Sequence, residues 1–97
     1  MNIKSSHGGS KLVLRIYEHI TTINDVNEIR SHMMSSSFDE LELVINDAFV
    51  MPSALIGLLL KEVQADKKRV YIQAKDELIE LLKELNLQSV FKLTKIG

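Results

Sequence analysis

The feature that most constrains the fold is an almost continuous apolar segment at residues 41–60, LELVINDAFVMPSALIGLLL. The run LVI at 43–45 is typical of a buried strand, and the apolar residues after Pro52 have the length and spacing of a helix. Pro52 fixes its own φ and holds the preceding residue in extended geometry, so the chain must change there from strand to helix. The segment therefore predicts a strand, a short loop and a helix with Ser53 as its N-cap.

The rest of the chain predicts strands and helices in alternation around this segment. A hairpin opens the chain, and short connections between the later elements favour a parallel or mixed sheet with right-handed crossovers. We therefore expect one α/β domain over residues 1–97, with about four to five strands and about three helices. The strand at 40–46 should be central and covered by helices on both faces, because its core is continuous rather than alternating. The predicted strands are 2–6, 11–17, 40–46, 69–74 and 90–93, and the predicted helices are 24–34, 53–66 and one capped by Asp76, with a turn at 7–10.

Composition excludes several classes of function. The 97 residues are 45% hydrophobic, enough for one small core, and they carry a net charge of -1. A dedicated nucleic-acid binder needs a concentrated basic face, whereas the basic cluster at 67–69 (KKR) is typical of a solvated turn. The sequence contains no cysteine, so disulfides and thiolate metal sites are excluded. We therefore expect no nucleic acid among the partners.

The distribution of apolar residues predicts a cytoplasmic protein without direct membrane insertion. Residues 1–10 contain no apolar run that would indicate a signal peptide. The longest apolar block, at 54–60, is interrupted by Gly57. It is much shorter than the roughly 20 residues that a membrane-spanning helix needs.

No pattern in the chain is typical of an enzyme. The four glycines are too dispersed for a phosphate-binding loop or a dinucleotide fingerprint. The three histidines have no metal-ligand spacing, and the carboxylates at 39–42 and 76–80 border a strand and a helix start. No activating base can be assigned to Ser53 as a nucleophile. The sequence therefore predicts a non-enzymatic protein without a cofactor or a metal.

The helix after Ser53 has more apolar residues than a single core-facing stripe requires. Leu58 falls off the stripe and Leu55 lies at its margin, so both are expected to show apolar surface. Such a patch beside Ser53 suggests a protein partner, although a contact of Leu58 within the chain is an equally good interpretation. The residues expected in the core share one face at helical spacing: Ile56, Leu59, Leu60 and Val63.

From residue 11 to its end, the chain resembles the STAS domain, the module of bacterial anti-sigma-factor antagonists. The clearest similarity is FVMPSALIGLLL at 49–60, which resembles the family's apolar-Asp-Ser-Ser-Gly-Leu-Gly-apolar segment. VYIQA at 70–74 and LIELLKELNLQSVFKL at 78–93 resemble the family's following strand and its leucine-rich closing elements. The resemblance implies a STAS-like α/β fold.

The resemblance also singles out Ser53. Aligning Gly57 with the second family glycine places Ser53 on the family's phosphoacceptor serine. Pro52, Ala54 and Leu55 then fall on the preceding aspartate, the second serine and the first glycine. A shift of one residue would place Pro52 on the phosphoacceptor and Ser53 on the second serine. In either register the family's aspartate is missing, so Ser53 is a candidate phosphorylation site with a purely structural cap as the alternative.

The family's function implies a docking module whose partner is an anti-sigma factor, a serine-kinase-like regulator or a sensor component. Phosphate on Ser53 would add about two negative charges beside the leucines and oppose their burial against that partner. Two alternatives stay open: a cytoplasmic subunit of a lipid or ABC transport complex, and a module that binds a small ligand at the carboxyl ends of the strands. The candidate docking residues are Pro52, Ser53, Ala54, Leu55 and Leu58.

Overall fold

Every strand and helix expected from the sequence is present in the computed structural model, which describes residues 2–96. The fold class is α/β, as predicted, with an N-terminal hairpin followed by alternating helices and strands. The elements are β1 (Ile3–Gly8), β2 (Lys11–Ile16), α1 (Ile23–Met34), β3 (Glu40–Ile45), α2 (Ser53–Gln64), β4 (Arg69–Ala74), α3 (Asp76–Glu84), a 3₁₀ turn (Leu87–Ser89) and β5 (Lys92–Lys95).

The five strands form one sheet in the order β1-β2-β3-β4-β5. β1 is antiparallel to β2, and the three pairs from β2 to β5 are parallel. The hairpin turn is tighter than predicted, because Gly8 still pairs with Lys11 and only Gly9 and Ser10 reverse the chain. Gly9 has a φ of 60°, a conformation that glycine adopts without steric cost. β3 is the central strand, as the sequence predicts.

All three helices lie on one side of the sheet, because right-handed crossovers that advance in one direction stack on one face. On that face Leu14, Leu43 and Ile72 occupy aligned positions of the three central strands and are fully buried. Glu42 and Val44 lie on the opposite face, and Val44 is buried without joining the core cluster. The prediction that helices cover both faces of β3 is therefore wrong, since its apolar run places Val44 on the open face.

The open face of the sheet is polar and is organised around the two glutamates of β3. Glu42 accepts a hydrogen bond from the Gln73 side chain and pairs with Lys11, whose Nζ lies 2.8 Å from its Oε1. The hydrogen bond that Lys11 makes to the Glu42 carboxylate raises the pKa of Lys11, and the negative charge of Glu42 raises it further. Arg69 Nη2 lies 2.7 Å from Glu40 Oε1. These cross-strand pairs give the open face a surface suited to water.

The start of α1 is defined by a capping box. The Thr22 hydroxyl accepts a hydrogen bond from the Asp25 amide at 3.2 Å, and the Asp25 carboxylate accepts one from the Thr22 amide at 3.2 Å. The carboxylate also accepts from the Thr21 amide at 3.0 Å, and these backbone bonds lower the pKa of Asp25. The helix consequently begins at Ile23, one residue before the predicted Asn24.

The last helix and the last strand each differ from the prediction in one detail. The N-cap of α3 is Lys75, and Asp76 is instead the first helical residue, where its charge suits the helix dipole. The last strand spans Lys92–Lys95 rather than 90–93, because Phe91 turns into the core before the strand begins.

Candidate docking surface at the carboxyl edge of the sheet

The carboxyl ends of four parallel strands meet at one edge of the sheet. β2, β3, β4 and β5 all end there, and α1, α2 and α3 begin there. The connections at 17–22 and 46–52 and the single residue Lys75 therefore lie along the same edge. In open α/β sheets this is the usual place for a binding site.

The connection between β3 and α2 presents exposed apolar side chains at this edge. Ala48 and Met51 are 1% and 6% exposed, so they hold both sides of the connection in the core. Between them Phe49 and Val50 are 47% and 60% exposed. Ile23, the first residue of α1, adds a further apolar side chain that is 60% exposed. Because the connection is held at both ends, Phe49 and Val50 are displayed by a fixed framework rather than by a free loop.

Two neighbouring connections each place a polar side chain near the Phe49 ring. Its centroid lies 5.9 Å from that of the His19 ring, at an interplanar angle of 43°. Lys75 Nζ lies 5.9 Å from the Phe49 centroid and 4.0 Å from Asp47 Oδ1. An aromatic ring with an imidazole and an ammonium group nearby suits a partner with both apolar and polar groups.

Ser53 is exposed at this edge, but it is not the N-cap of α2. Pro52 occupies that position with φ -60° and ψ 145°, and its carbonyl accepts the first bonds of the helix from Leu55 and Ile56. Ser53 is the first helical residue, and its hydroxyl has no hydrogen-bond partner within residues 2–96. The amides of Ser53 and Ala54 likewise have no acceptor in the described chain. The predicted capping role is therefore wrong, and the hydroxyl faces solvent.

Three of the five candidate docking residues fall beside the exposed apolar pair. Ser53 and Ala54 are exposed and Pro52 is half-buried. We call the loop surface the set of Phe49, Val50, Pro52, Ser53 and Ala54.

The other two candidates lie elsewhere. Leu55 is 0% exposed, so the expectation that it shows apolar surface is wrong. Leu58 is partly buried against the core, and its remaining surface faces α1 rather than the loop surface. The core side of α2 is centred on Leu55 and Leu59, which differs from the predicted stripe. Three members of that stripe are only partly buried: Ile56, Leu60 and Val63.

The sequence pattern does not predict the exposed pair Phe49 and Val50 as a site. The signal available was two large apolar residues inside a connection that has Asp47 on one side and Pro52 on the other. A continuous apolar segment conceals that signal, because nothing in it distinguishes the buried Ala48 and Met51 from the exposed pair.

The described residues contain no arrangement that suggests metal chemistry. Within residues 2–96 no three histidine, aspartate or glutamate side chains lie close enough together to hold a metal ion. None of the helices in this part of the chain has the length and apolar character needed to cross a membrane.

Comparison of the chain with models of protein families, with characterised proteins and with solved structures found no match. The STAS resemblance therefore rests on residues 49–60, 70–74 and 78–93 of this sequence.

Proposed function

We propose that this chain is a non-enzymatic, STAS-like interaction module of the cytoplasm that docks on a regulatory protein through the loop surface. The partner would be an anti-sigma factor, a serine-kinase-like regulator or a sensor component, as the family resemblance implies. The observation that carries the proposal is the exposed pair Phe49 and Val50, presented beside the free hydroxyl of Ser53.

The energetics of the loop surface favour docking over a purely structural role. An exposed aromatic residue beside an exposed valine forms a patch whose burial stabilises a complex, and aromatic residues are enriched among those that dominate binding. The buried neighbours Ala48 and Met51 already hold the connection, so a partner would spend little free energy on ordering it.

Phosphorylation of Ser53 would control this docking. The free amides of Ser53 and Ala54 and the dipole of α2 favour an anion at the first helical residue, so the fold tolerates the modification. The same phosphate would place about two negative charges next to Phe49 and Val50, and burying them against a partner would cost free energy.

Quantitative affinity purification from the native host, with the partner identified by mass spectrometry, tests the proposal. We expect the wild-type chain to recover a kinase-like, anti-sigma or sensor protein, and the double variant Phe49→Ser/Val50→Ser to lose it. Leu85→Ser is the control, because Leu85 is 51% exposed but follows the last residue of α3 at the opposite edge of the sheet. Equal recovery by the wild-type and double-variant chains would contradict the proposal.

The same experiment examines the alternative of a transport-complex subunit. Recovery of a transporter ATPase that is insensitive to Ser53→Asp would support a permanent contact, whereas a regulatory partner that Ser53→Asp releases would support the switch.

A further inference from the structure

A groove separates α1 from α2 on the helical face, away from the loop surface. It has a volume of about 610 Å³, and α1 contributes Arg30 and Met34 to its wall. Gly57, Leu58 and Lys61 of α2 line the other side. Met34 is 79% exposed, which is the largest exposure of any large hydrophobic residue in the described chain. The groove therefore combines the partly buried Leu58 with a flexible methionine that can adapt to an occupant.

Gly57 has no function within the chain that the structure accounts for. It lies in the interior of α2, where glycine is less favourable than alanine. A Cβ atom built on it would meet nothing within 4 Å, so the packing of the chain does not require a glycine. The absence of a side chain at Gly57 allows the backbone of another helix to approach α2 closely at this point.

Two of the three charged side chains that line the groove are basic. Arg30 and Lys61 are exposed and have no ion-pair partner within residues 2–96. Glu62 also lines the groove, and it forms an ion pair with Lys68, whose Nζ lies 3.1 Å from Glu62 Oε2. An occupant with carboxylates on both sides of an apolar stripe would complement this arrangement.

We infer that the groove between α1 and α2 binds an acidic amphipathic helix of a partner protein. Leucine-type side chains of that helix cover Met34 and Leu58, its backbone passes over Gly57, and its carboxylates pair with Arg30 and Lys61. This contact is separate from the loop surface, so it does not require the proposed function to be correct.

A synthetic helical peptide serves as the probe. It carries leucines at helical spacing with glutamates on both sides of the stripe, and a matched peptide has lysine in place of every glutamate. In an NMR titration of the full chain we expect the acidic peptide to shift the amide signals of Arg30, Met34, Gly57 and Lys61. We expect the basic peptide to bind at least about tenfold more weakly.

Two variants separate binding from folding. Gly57→Ala should raise Tm by about 3–6 °C, because alanine is the better helix former. The added methyl group should also lower the affinity for the acidic peptide, because it fills space in the groove. The double variant Arg30→Glu/Lys61→Glu should lower the affinity for the acidic peptide about tenfold and raise the affinity for the basic peptide. The double variant Arg15→Glu/Lys92→Glu, with both residues exposed on the open face of the sheet, is the charge-matched control and should change neither affinity.

Absence of shifts at millimolar peptide, or equal binding of both peptides, would overturn the inference. Shifts confined to the loop surface or to the open face of the sheet would overturn it as well. Those results would leave the purification experiment with Phe49→Ser/Val50→Ser unaffected, so failure of this inference and failure of the proposed function can be told apart.

Discussion

The ring of Phe49 lies 5.9 Å from the imidazole of His19, at an interplanar angle of 43°. This contact joins the connection after β3 to the connection after β2, two segments that are 30 residues apart in the chain. It supports one side of the ring and leaves 47% of the residue exposed. Phe49 can therefore be removed with little effect on the core, which makes it the most direct test of the loop surface.

Phe49→Ala should lower the free energy of unfolding by about 1 kcal/mol or less, because roughly half of its apolar surface is already in water. Phe91→Ala is the comparison, since Phe91 is 1% exposed in the core and its loss should cost about 3–5 kcal/mol. Urea denaturation of both variants measures the difference. Equal destabilisation would show that Phe49 is a core residue rather than a surface one.

Truncation of Leu55 and of Leu58, which the sequence predicts to show apolar surface, should change the free energy of unfolding by different amounts. Leu55→Ala should lower the free energy of unfolding by about 2–5 kcal/mol, because Leu55 is fully buried and its truncation leaves a cavity. Leu58→Ala should cost about 1–2 kcal/mol, because Leu58 is only partly buried. Thermal unfolding followed by circular dichroism distinguishes them. A larger loss at Leu58 than at Leu55 would contradict the described packing of α2.

Ser53→Asp should leave the fold intact and raise the free energy of unfolding by about 0.3–1 kcal/mol, because a negative charge is favourable in the first turn of α2. The same variant should reduce partner recovery, as phosphate on Ser53 would. Ser53→Ala is the control and should retain the partner. A destabilised Ser53→Asp chain would argue against an accessible helix start at this position.

The capping box of α1 predicts a stability loss without a change of fold. Thr22→Ala should lower the free energy of unfolding by about 1 kcal/mol, because the capping hydrogen bond from the Asp25 amide to the Thr22 hydroxyl is lost. Thr21→Ala is the matched control, since the Thr21 hydroxyl makes only a 3.3 Å contact with the Asp25 carboxylate. Denaturant titration at neutral pH measures both.

The carboxylate of Asp25 also makes the free energy of unfolding depend on pH. Its carboxylate accepts hydrogen bonds from two backbone amides, which lower its pKa in the folded chain below the value in the unfolded chain. The stabilisation is therefore fully present above the unfolded pKa of about 4 and is lost as the pH falls through the lower folded pKa. Asp25→Asn should flatten this part of the stability profile. An unchanged slope between pH 5 and pH 2, measured by thermal unfolding, would contradict the assigned hydrogen bonds.

The elements with strong local signals were predictable from the sequence. β4 at Arg69–Ala74 matches its prediction at both ends, and the start of α2 after Pro52 matches as well. Branched residues and a proline act on the chain locally, so these features need no knowledge of distant neighbours. The sequence predicts Ser53 as the N-cap of α2, because serine is a preferred capping residue. In the structure Pro52 is the N-cap and Ser53 is the first residue of the helix.

The predictions that are wrong concern the face of the sheet on which a side chain lies and the exposure of that side chain to solvent. Val44 interrupts the alternation of β3, and the sequence alone favours a strand covered on both sides. In the folded chain the helices stack on one face, and neighbouring strands bury Val44 on the other. Leu55 and Leu58 were similarly grouped from helical spacing, although only the position of α1 places Leu58 at a groove and leaves Leu55 in the core.

The amino-acid sequence by itself determined the α/β class, the order of the elements and the place where β3 gives way to α2, because local backbone preferences and apolar periodicity act over a few residues. The tertiary structure alone decided which apolar residues are displayed. Exposure depends on what packs over a side chain, and for Phe49, Val50 and Met34 the neighbouring elements leave that surface uncovered.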